Sequence, residues 1–187
     1  MAVATLAKSA GPMVAEFLET FCRQSRGDVA GQPLQLRPWQ RELLDDLFAL
    51  RPDGTRCYRT ALIGLPRKNG KSTLCSGLAL YGLIADGEPG AEIYSCAGDR
   101  QQARIVFEEA KRMAQHDPDL RGVLTFYRDA IEVRATNSVY RVLSADAELK
   151  QGLNPHWVIF DEVHVQPSDA LWNAMVLGMG TRRQPLM

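Results

Sequence analysis

Two polar segments of this chain combine residue types that could carry out chemistry on a phosphorylated ligand. Residues 66–73 read Pro-Arg-Lys-Asn-Gly-Lys-Ser-Thr, and residues 158–162 read Val-Ile-Phe-Asp-Glu. Successive backbone N–H groups in a turn of the first kind can point into one anion-binding concavity. Gly70 allows phosphate oxygens to approach the backbone closely. The second segment ends an apolar run with two carboxylates, which can hold a magnesium ion and polarise a water molecule.

The first segment predicts a phosphate loop over residues 66–72. Lys71 is placed to reach the outer phosphates of ATP, and the Ser72 hydroxyl is placed to ligate Mg²⁺. The apolar stretch 61–63 predicts a buried strand before the loop, and the residues after Lys71 predict a helix whose positive N-terminal end lies behind the phosphates. The predicted nucleotide-binding residues here are Pro66, Arg67, Lys68, Asn69, Gly70, Lys71, Ser72 and Thr73.

The acidic pair predicts the hydrolytic half of the site. Val158-Ile159-Phe160 is apolar enough for a buried strand, and open α/β sheets bind ligands at the carboxyl ends of their strands. Asp161 is expected to hold magnesium together with Ser72, and Glu162 to act as the general base toward the attacking water. Arg67 is a candidate to stabilise transition-state charge, with a purely phosphate-binding arginine as the alternative. The predicted catalytic residues are Glu162, Arg67 and Lys71.

Strands and helices alternate along most of the chain, which predicts an α/β fold with a mostly parallel sheet. Pro12 and Pro38 each begin an amphipathic helix. We expect an N-terminal helix and linker over 1–36, the linker proper being 26–36, and a nucleotide-binding domain over 37–187. The later predicted elements are a turn at 51–54, the helix after the phosphate loop, a strand at 92–97, a helix at 101–114, a hairpin of 131–134 and 139–143, the Asp-Glu strand and a helix near 170–177.

At these residues the chain resembles the ATPase domain of the large terminase subunit of tailed double-stranded-DNA bacteriophages. That family's phosphate loop lacks the first glycine and has an arginine four residues before the lysine, as Arg67 stands before Lys71. Arg37-Pro38-Trp39-Gln40 resembles the family's glutamine motif, so Gln40 is the candidate contact to adenine. The segments 98–103, 160–164 and 180–185 resemble further blocks of the family.

The resemblance implies a P-loop NTPase with a RecA-like sheet that uses Mg²⁺ and ATP. It implies a motor that moves double-stranded DNA into the procapsid. The implied partners are that DNA, the portal protein, the small terminase subunit and further copies in a ring. The implied location is the bacterial host cytoplasm and, transiently, the portal vertex, with no membrane. An arginine finger from a neighbouring copy is also implied, for which Lys150, Arg182 and Arg183 are unranked candidates.

The resemblance also implies that this chain is part of a longer one. In the family, a strand ending in a hydroxyl-rich coupling motif follows the last helix and lies between the phosphate-loop strand and the Asp-Glu strand. Pro185-Leu186-Met187 looks like the beginning of that strand. We therefore expect a fragment that stops before the coupling motif and lacks the family's nuclease domain.

Two other functions fit parts of the sequence. Asp161-Glu162-Val163-His164 also fits the Asp-Glu-X-His box of superfamily-two helicases, whose histidine couples hydrolysis to nucleic acid. Such a translocase would carry a second motor domain. A non-catalytic scaffold with a degenerate phosphate loop is the third interpretation, and the joint presence of Lys71, Ser72 and both carboxylates argues against it.

Composition is consistent with one globular domain, since the chain has 187 residues and 45% hydrophobic composition. A formal net charge of zero argues against a strongly basic nucleic-acid domain, although residues 51–75 hold six Lys and Arg against Asp53 alone. The four cysteines show no zinc or redox spacing, which fits a reducing cytoplasm. His156 and His164 are predicted to be hydrogen-bonded structural residues rather than metal ligands.

Overall fold

The computed structural model of the chain describes residues 8–144 and 152–187. The helices are α1 Gly11–Phe21, α2 Pro38–Leu47, α3 Lys71–Ile84, α4 Arg100–Gln115, α5 Pro118–Val123 and α6 Ala170–Gly178. The strands are β1 Glu92–Ala97, β2 Thr125–Phe126, β3 Ala130–Val133, β4 Ser138–Ser144 and β5 Trp157–Phe160. They form one sheet in the order β2-β3-β4-β1-β5.

The centre of the sheet is parallel, as predicted. β1 pairs in parallel with β4 on one side and with β5 on the other. Ile93 to Ala97 are all buried, which is typical of a parallel strand covered on both faces. Because β1 and β5 run in the same direction, their carboxyl ends meet at one edge, where Asp161 N donates to Cys96 O at 2.9 Å.

The predicted hairpin is confirmed, and it adds the antiparallel edge of the sheet. β3 pairs with β4, and the short β2 pairs with β3. Asn137 makes the turn at φ 54°, a left-handed conformation that asparagine tolerates better than most residues.

The sequence analysis missed α5, although Asp117-Pro118 was a usable signal. The Asp117 carboxylate accepts the N–H groups of Asp119 and Leu120, and proline suits the first helical position.

Helix α3, which follows the phosphate loop, is fixed by close contacts with a helix on one side and a strand on the other. A Cβ at Gly77 would lie 2.5 Å from Leu18 Cδ2 of α1, and one at Gly82 would lie 2.8 Å from the Trp157 ring of β5. The buried Trp157 ring leaves no room for a side chain at Gly82, whereas at Gly77 the flexible end of Leu18 would have to shift. Helix α1 shares the main core with α2 and α3, and the predicted linker 26–36 ends in the same core with buried Leu34 and Leu36.

The prediction of a buried strand at 61–63 is wrong. Leu62 is 87% exposed and Ile63 is 37% exposed. Backbone pairing ends at Ala61, whose N–H donates to Met187 O at 2.8 Å. An apolar run is buried only where neighbours cover it, and the described residues leave Leu62 uncovered.

The expected position of the C-terminal residues is confirmed. Leu186 pairs in parallel with Trp157 at the start of β5, and Met187 N donates to Arg59 O at 2.9 Å. The backbone at 186–187 therefore lies between β5 and the segment that precedes the phosphate loop. Within the described ranges, no helix is both long and apolar enough to cross a membrane.

Candidate active site

The phosphate loop turns sharply into α3. Lys68 and Gly70 have φ values of 65° and 76°, and Gly70 is the N-cap of the helix. A left-handed conformation costs a non-glycine residue roughly 1–2 kcal/mol, so Lys68 is held there by the surrounding loop. Asn69 Nδ2 donates to Pro66 O at 3.3 Å and closes the turn. The loop therefore presents its backbone at the positive end of a 14-residue helix.

Lys71 brings the two predicted segments together. Its Nζ lies 2.8 Å from Asp161 Oδ1 and also donates to Glu162 Oε1. Burial lowers the pKa of Lys71, but the hydrogen bonds to both carboxylates outweigh it and raise the pKa above its ordinary value. The hydrogen bond from Lys71 lowers the pKa of Glu162, with smaller contributions from His164 and Arg67. Lys71 and Glu162 therefore carry opposite charges at neutral pH.

The backbone at Glu162 explains why neighbouring carboxylates reach the same ammonium. Successive side chains of a strand point to opposite faces of the sheet. Glu162 leaves the strand conformation, with φ 49° and ψ 54°, and begins a 3-10 helix at Val163–Val165. Asp161 is 8% exposed at the end of β5, whereas the Glu162 side chain is 40% exposed. One carboxylate is thus anchored in the sheet and the other lies at the solvent side.

The turn after Glu162 lies against the end of β1. A Cβ at Gly98 would lie 2.9 Å from Val165 O, a distance that requires glycine. His164 Nδ1 lies 3.5 Å from Glu162 Oε2, and the side chain is 73% exposed. Sequence analysis missed both the contact between Gly98 and the turn and the contact between His164 and Glu162. The position of Gly98 directly after a predicted strand was the available signal.

Gln40 lies against the phosphate loop. It is 8% exposed, and its Oε1 accepts the Arg37 N–H at 2.8 Å at the start of α2. Its Nε2 lies 3.8 Å from the position that a Cβ would take at Gly70. The amide oxygen is therefore held by the helix cap while the amide NH₂ faces the loop. Ser72 and Thr73 lie half-buried in the first turn of α3, and Arg67 is exposed.

The family model for the terminase large subunit, ATPase domain, matches residues 38–187. This chain belongs to that family. The large terminase subunit of Enterobacteria phage HK97 is 31% identical over 182 residues, covering 95% of this chain and 35% of the relative. The terminase large subunit of Lactococcus phage p2 is 29% identical over 112 residues, covering 57% of this chain and 21% of the relative. The terminase domain described here thus spans about a third or less of the length of these curated relatives.

Solved structures agree with the family assignment. The crystal structure of the HK97 large terminase has a TM-score of 0.82 and 30% identity, covering 96% of this chain and 37% of that chain. The ATPase domain of the Thermus phage P74-26 large terminase shares the fold, with a TM-score of 0.58 and 22% identity, covering 72% of this chain and 60% of that chain. The predicted family and fold class are confirmed, and the helicase alternative is not retained.

Two of the three arginine-finger candidates in this terminase domain lie among the described residues, and they differ in environment. Arg182 is held by its own chain, donating to Asn154 O at 3.1 Å, Glu88 Oε1 at 3.0 Å and Gly90 O at 2.7 Å. Arg183 is exposed. Lys150 lies outside the described residues. A residue that must reach a neighbouring copy needs a free side chain, so the contacts of Arg182 count against that role.

A buried polar cluster behind the site was not predicted. Asp86, two residues after α3, accepts from Arg56, from His156 Nε2 at 2.6 Å and from Trp157 Nε1 at 3.1 Å. The side chains of Arg56, Asp86 and His156 are 8%, 5% and 1% exposed. His156 is therefore a hydrogen-bonded structural residue, as predicted. The cluster ties the far end of the terminase α3 helix to the start of β5, and both elements carry site residues at their other ends.

Proposed function

We propose that this chain hydrolyses Mg-ATP to move double-stranded DNA into a procapsid. The observation that carries the proposal is the position of Lys71, between Asp161 and Glu162 at the junction of the phosphate loop with the carboxyl end of β5. This arrangement joins a phosphate-binding cation, a metal-binding carboxylate and a candidate base within one site. Membership of the terminase family supplies the link to DNA packaging.

The proposed division of labour follows from the chemistry of each group. The loop backbone and Lys71 bind the phosphates, and the Gln40 amide contacts adenine. The Ser72 hydroxyl and the Asp161 carboxylate are hard oxygen ligands, which suit Mg²⁺. When bound, magnesium would neutralise charge on the outer phosphates.

Glu162 is the proposed base, and its hydrogen bond with Lys71 controls how strong a base it is. In the structure the Lys71 hydrogen bond lowers the pKa of Glu162 and makes it a weak base. Phosphate oxygens of ATP would compete for the same ammonium protons. Transfer of Lys71 toward the phosphates would let the pKa of Glu162 rise toward its ordinary value, so the base would strengthen as substrate binds.

The proposed partners are double-stranded DNA, the portal protein, the small terminase subunit and further copies of the chain in a ring. The proposed location is the host cytoplasm and, during packaging, the portal vertex of the procapsid. These proposals rest on the family alone.

Arg67→Ala should depress turnover far more than ATP affinity. An arginine that stabilises transition-state charge contributes on the order of a thousandfold to the rate. Single-turnover hydrolysis and nucleotide affinity of the full-length protein would separate the two effects, with Arg128→Ala, at an exposed position away from the loop, as the control. Equal losses of rate and affinity would make Arg67 a phosphate-binding residue without a catalytic role.

Lys71→Ala tests the proposed function as a whole. The full-length wild-type protein should hydrolyse ATP and translocate DNA, and the variant should lose ATP binding, turnover and translocation together because Lys71 contacts the phosphates throughout. Retained turnover in the variant would refute the assignment of the site. A wild-type protein that binds its partners without hydrolysing ATP would instead support the non-catalytic scaffold.

A further inference from the structure

Four arginines converge on one cleft away from the Lys71 site. Arg51, Arg56, Arg59 and Arg183 line it together with Thr55, Gln184 and Pro185, and we call it the arginine cleft. It lies beside the start of β5, where Arg56 stacks 5.3 Å from the Trp157 ring centroid. Asp161 follows Trp157 by four residues, or about 13 Å of extended strand. The arginine cleft and the ATP site therefore lie at opposite ends of the strand.

Two of the four guanidinium groups are held in place by the chain itself. Arg51 donates to Arg56 O at 2.7 Å and to Cys57 O at 3.1 Å. Arg56 is buried and pairs with Asp86. The floor of the arginine cleft is therefore rigid, and its orientation does not depend on a ligand.

Positive charge in the arginine cleft exceeds the acidic groups around it. Asp86 neutralises Arg56. The hydrogen bonds with Thr55 lower the pKa of Asp53, and the nearby charge of Arg51 makes a smaller contribution. Asp53 in turn offsets part of the charge of Arg51. Within residues 8–144 and 152–187, neither Arg59 nor Arg183 forms a salt bridge. Both are exposed, and Arg59 Nη2 donates to Arg183 O at 3.3 Å. Two exposed cations that line one cleft without acidic partners among the described residues favour a bound anion.

We propose that the arginine cleft binds backbone phosphates of double-stranded DNA. The inference rests on the proposed function, which supplies DNA as the polyanion. Guanidinium groups form paired hydrogen bonds with phosphate oxygens, and they do so without reading the bases. A packaging motor must hold every sequence that passes through it, so contacts of this kind suit it. Separation from Lys71 lets DNA and ATP occupy the chain together.

The test removes the two exposed cations and follows the salt dependence of DNA binding. Full-length protein carrying Arg59→Gln and Arg183→Gln is compared with wild type by fluorescence anisotropy on a short double-stranded DNA. The control carries Arg121→Gln and Arg128→Gln, which remove the same charge from exposed positions elsewhere. The slope of log affinity against log salt should fall by about 0.9 for each phosphate that the variant no longer neutralises. We expect this flattening, with on the order of tenfold weaker binding at low salt, in the cleft variant only.

Two results would overturn the proposed binding of DNA by the cleft. One is a cleft variant whose affinity and salt slope match those of wild type and the control variant. The other is unchanged DNA binding with loss of inorganic phosphate binding, measured by calorimetry, which would assign the arginine cleft to a small anion. A cooperative thermal unfolding transition at the wild-type temperature in all three proteins reports that the fold is intact. Failure of the proposed function would appear separately, as absent hydrolysis in wild type.

Discussion

Glu162→Gln should bind Mg-ATP and fail to hydrolyse it. The amide keeps the size of the side chain and can still accept a hydrogen bond from Lys71, but it cannot take the proton of the attacking water. General-base catalysis contributes typically 10²–10⁴-fold, so turnover should fall by a factor on this order. ATP affinity should stay equal or increase, because the neutral amide competes less strongly than the carboxylate for the Lys71 ammonium.

Nucleotide affinity and turnover of the full-length protein are the two measurements that check this expectation. Glu42→Gln, the same substitution at an exposed position of α2, is the matched control and should behave as wild type. Hydrolysis by Glu162→Gln at the wild-type rate would show that the base has been assigned to the wrong residue. A parallel loss of affinity and rate would show that Glu162 acts in binding.

Asp86→Ala should destabilise the domain by about 3–5 kcal/mol, because it leaves a buried charge without its partner. Arg56 is 8% exposed and pairs with Asp86, while His156 and Trp157 also donate to the same carboxylate. The alanine side chain satisfies none of them. Asp86→Asn should lower the free energy of unfolding by less, since an amide can still form hydrogen bonds with these groups although it lacks the charge.

Hydrogen–deuterium exchange of β5 in the full-length protein would report this loss as a lower free energy of local opening. Asp129→Ala is a matched control, because Asp129 also pairs with two arginines, Arg100 and Arg104, but at the surface. Exposed ion pairs contribute about 0–1 kcal/mol each, so the control should change little. If Asp86→Ala lowered the free energy of local opening of β5 no more than Asp129→Ala does, the buried cluster would not hold β5 and α3 together.

Short-range signals in the sequence determined most of the elements correctly. Asp99 accepts the N–H groups of Gln101 and Gln102 and begins α4 one residue from the predicted start. The predicted hairpin follows from two apolar runs around a turn centred on Asn137. Caps, turns and periodicity act within a few residues, so they can be read without knowing the rest of the fold.

The residues of the candidate site could also be selected from the sequence, but the contacts among them could not. Lys71 and Glu162 could be selected because few residue types bind phosphate or accept a proton. Their contact depends on the left-handed turn at Glu162 and on the parallel pairing of β1 with β5. Both features bring together groups about ninety residues apart, which no local pattern specifies.

Burial was decided by the tertiary structure alone. Leu62 has the apolar character of a core residue and is exposed, whereas Asp86 has the character of a surface residue and is buried. The sequence by itself determined the helices of the described residues other than α5, the hairpin, the sharp loop before α3 and the acidic strand end. Only the tertiary structure decided which side chains are covered and which charges are paired, because the free energy of a buried group depends on neighbours that come from distant parts of the chain.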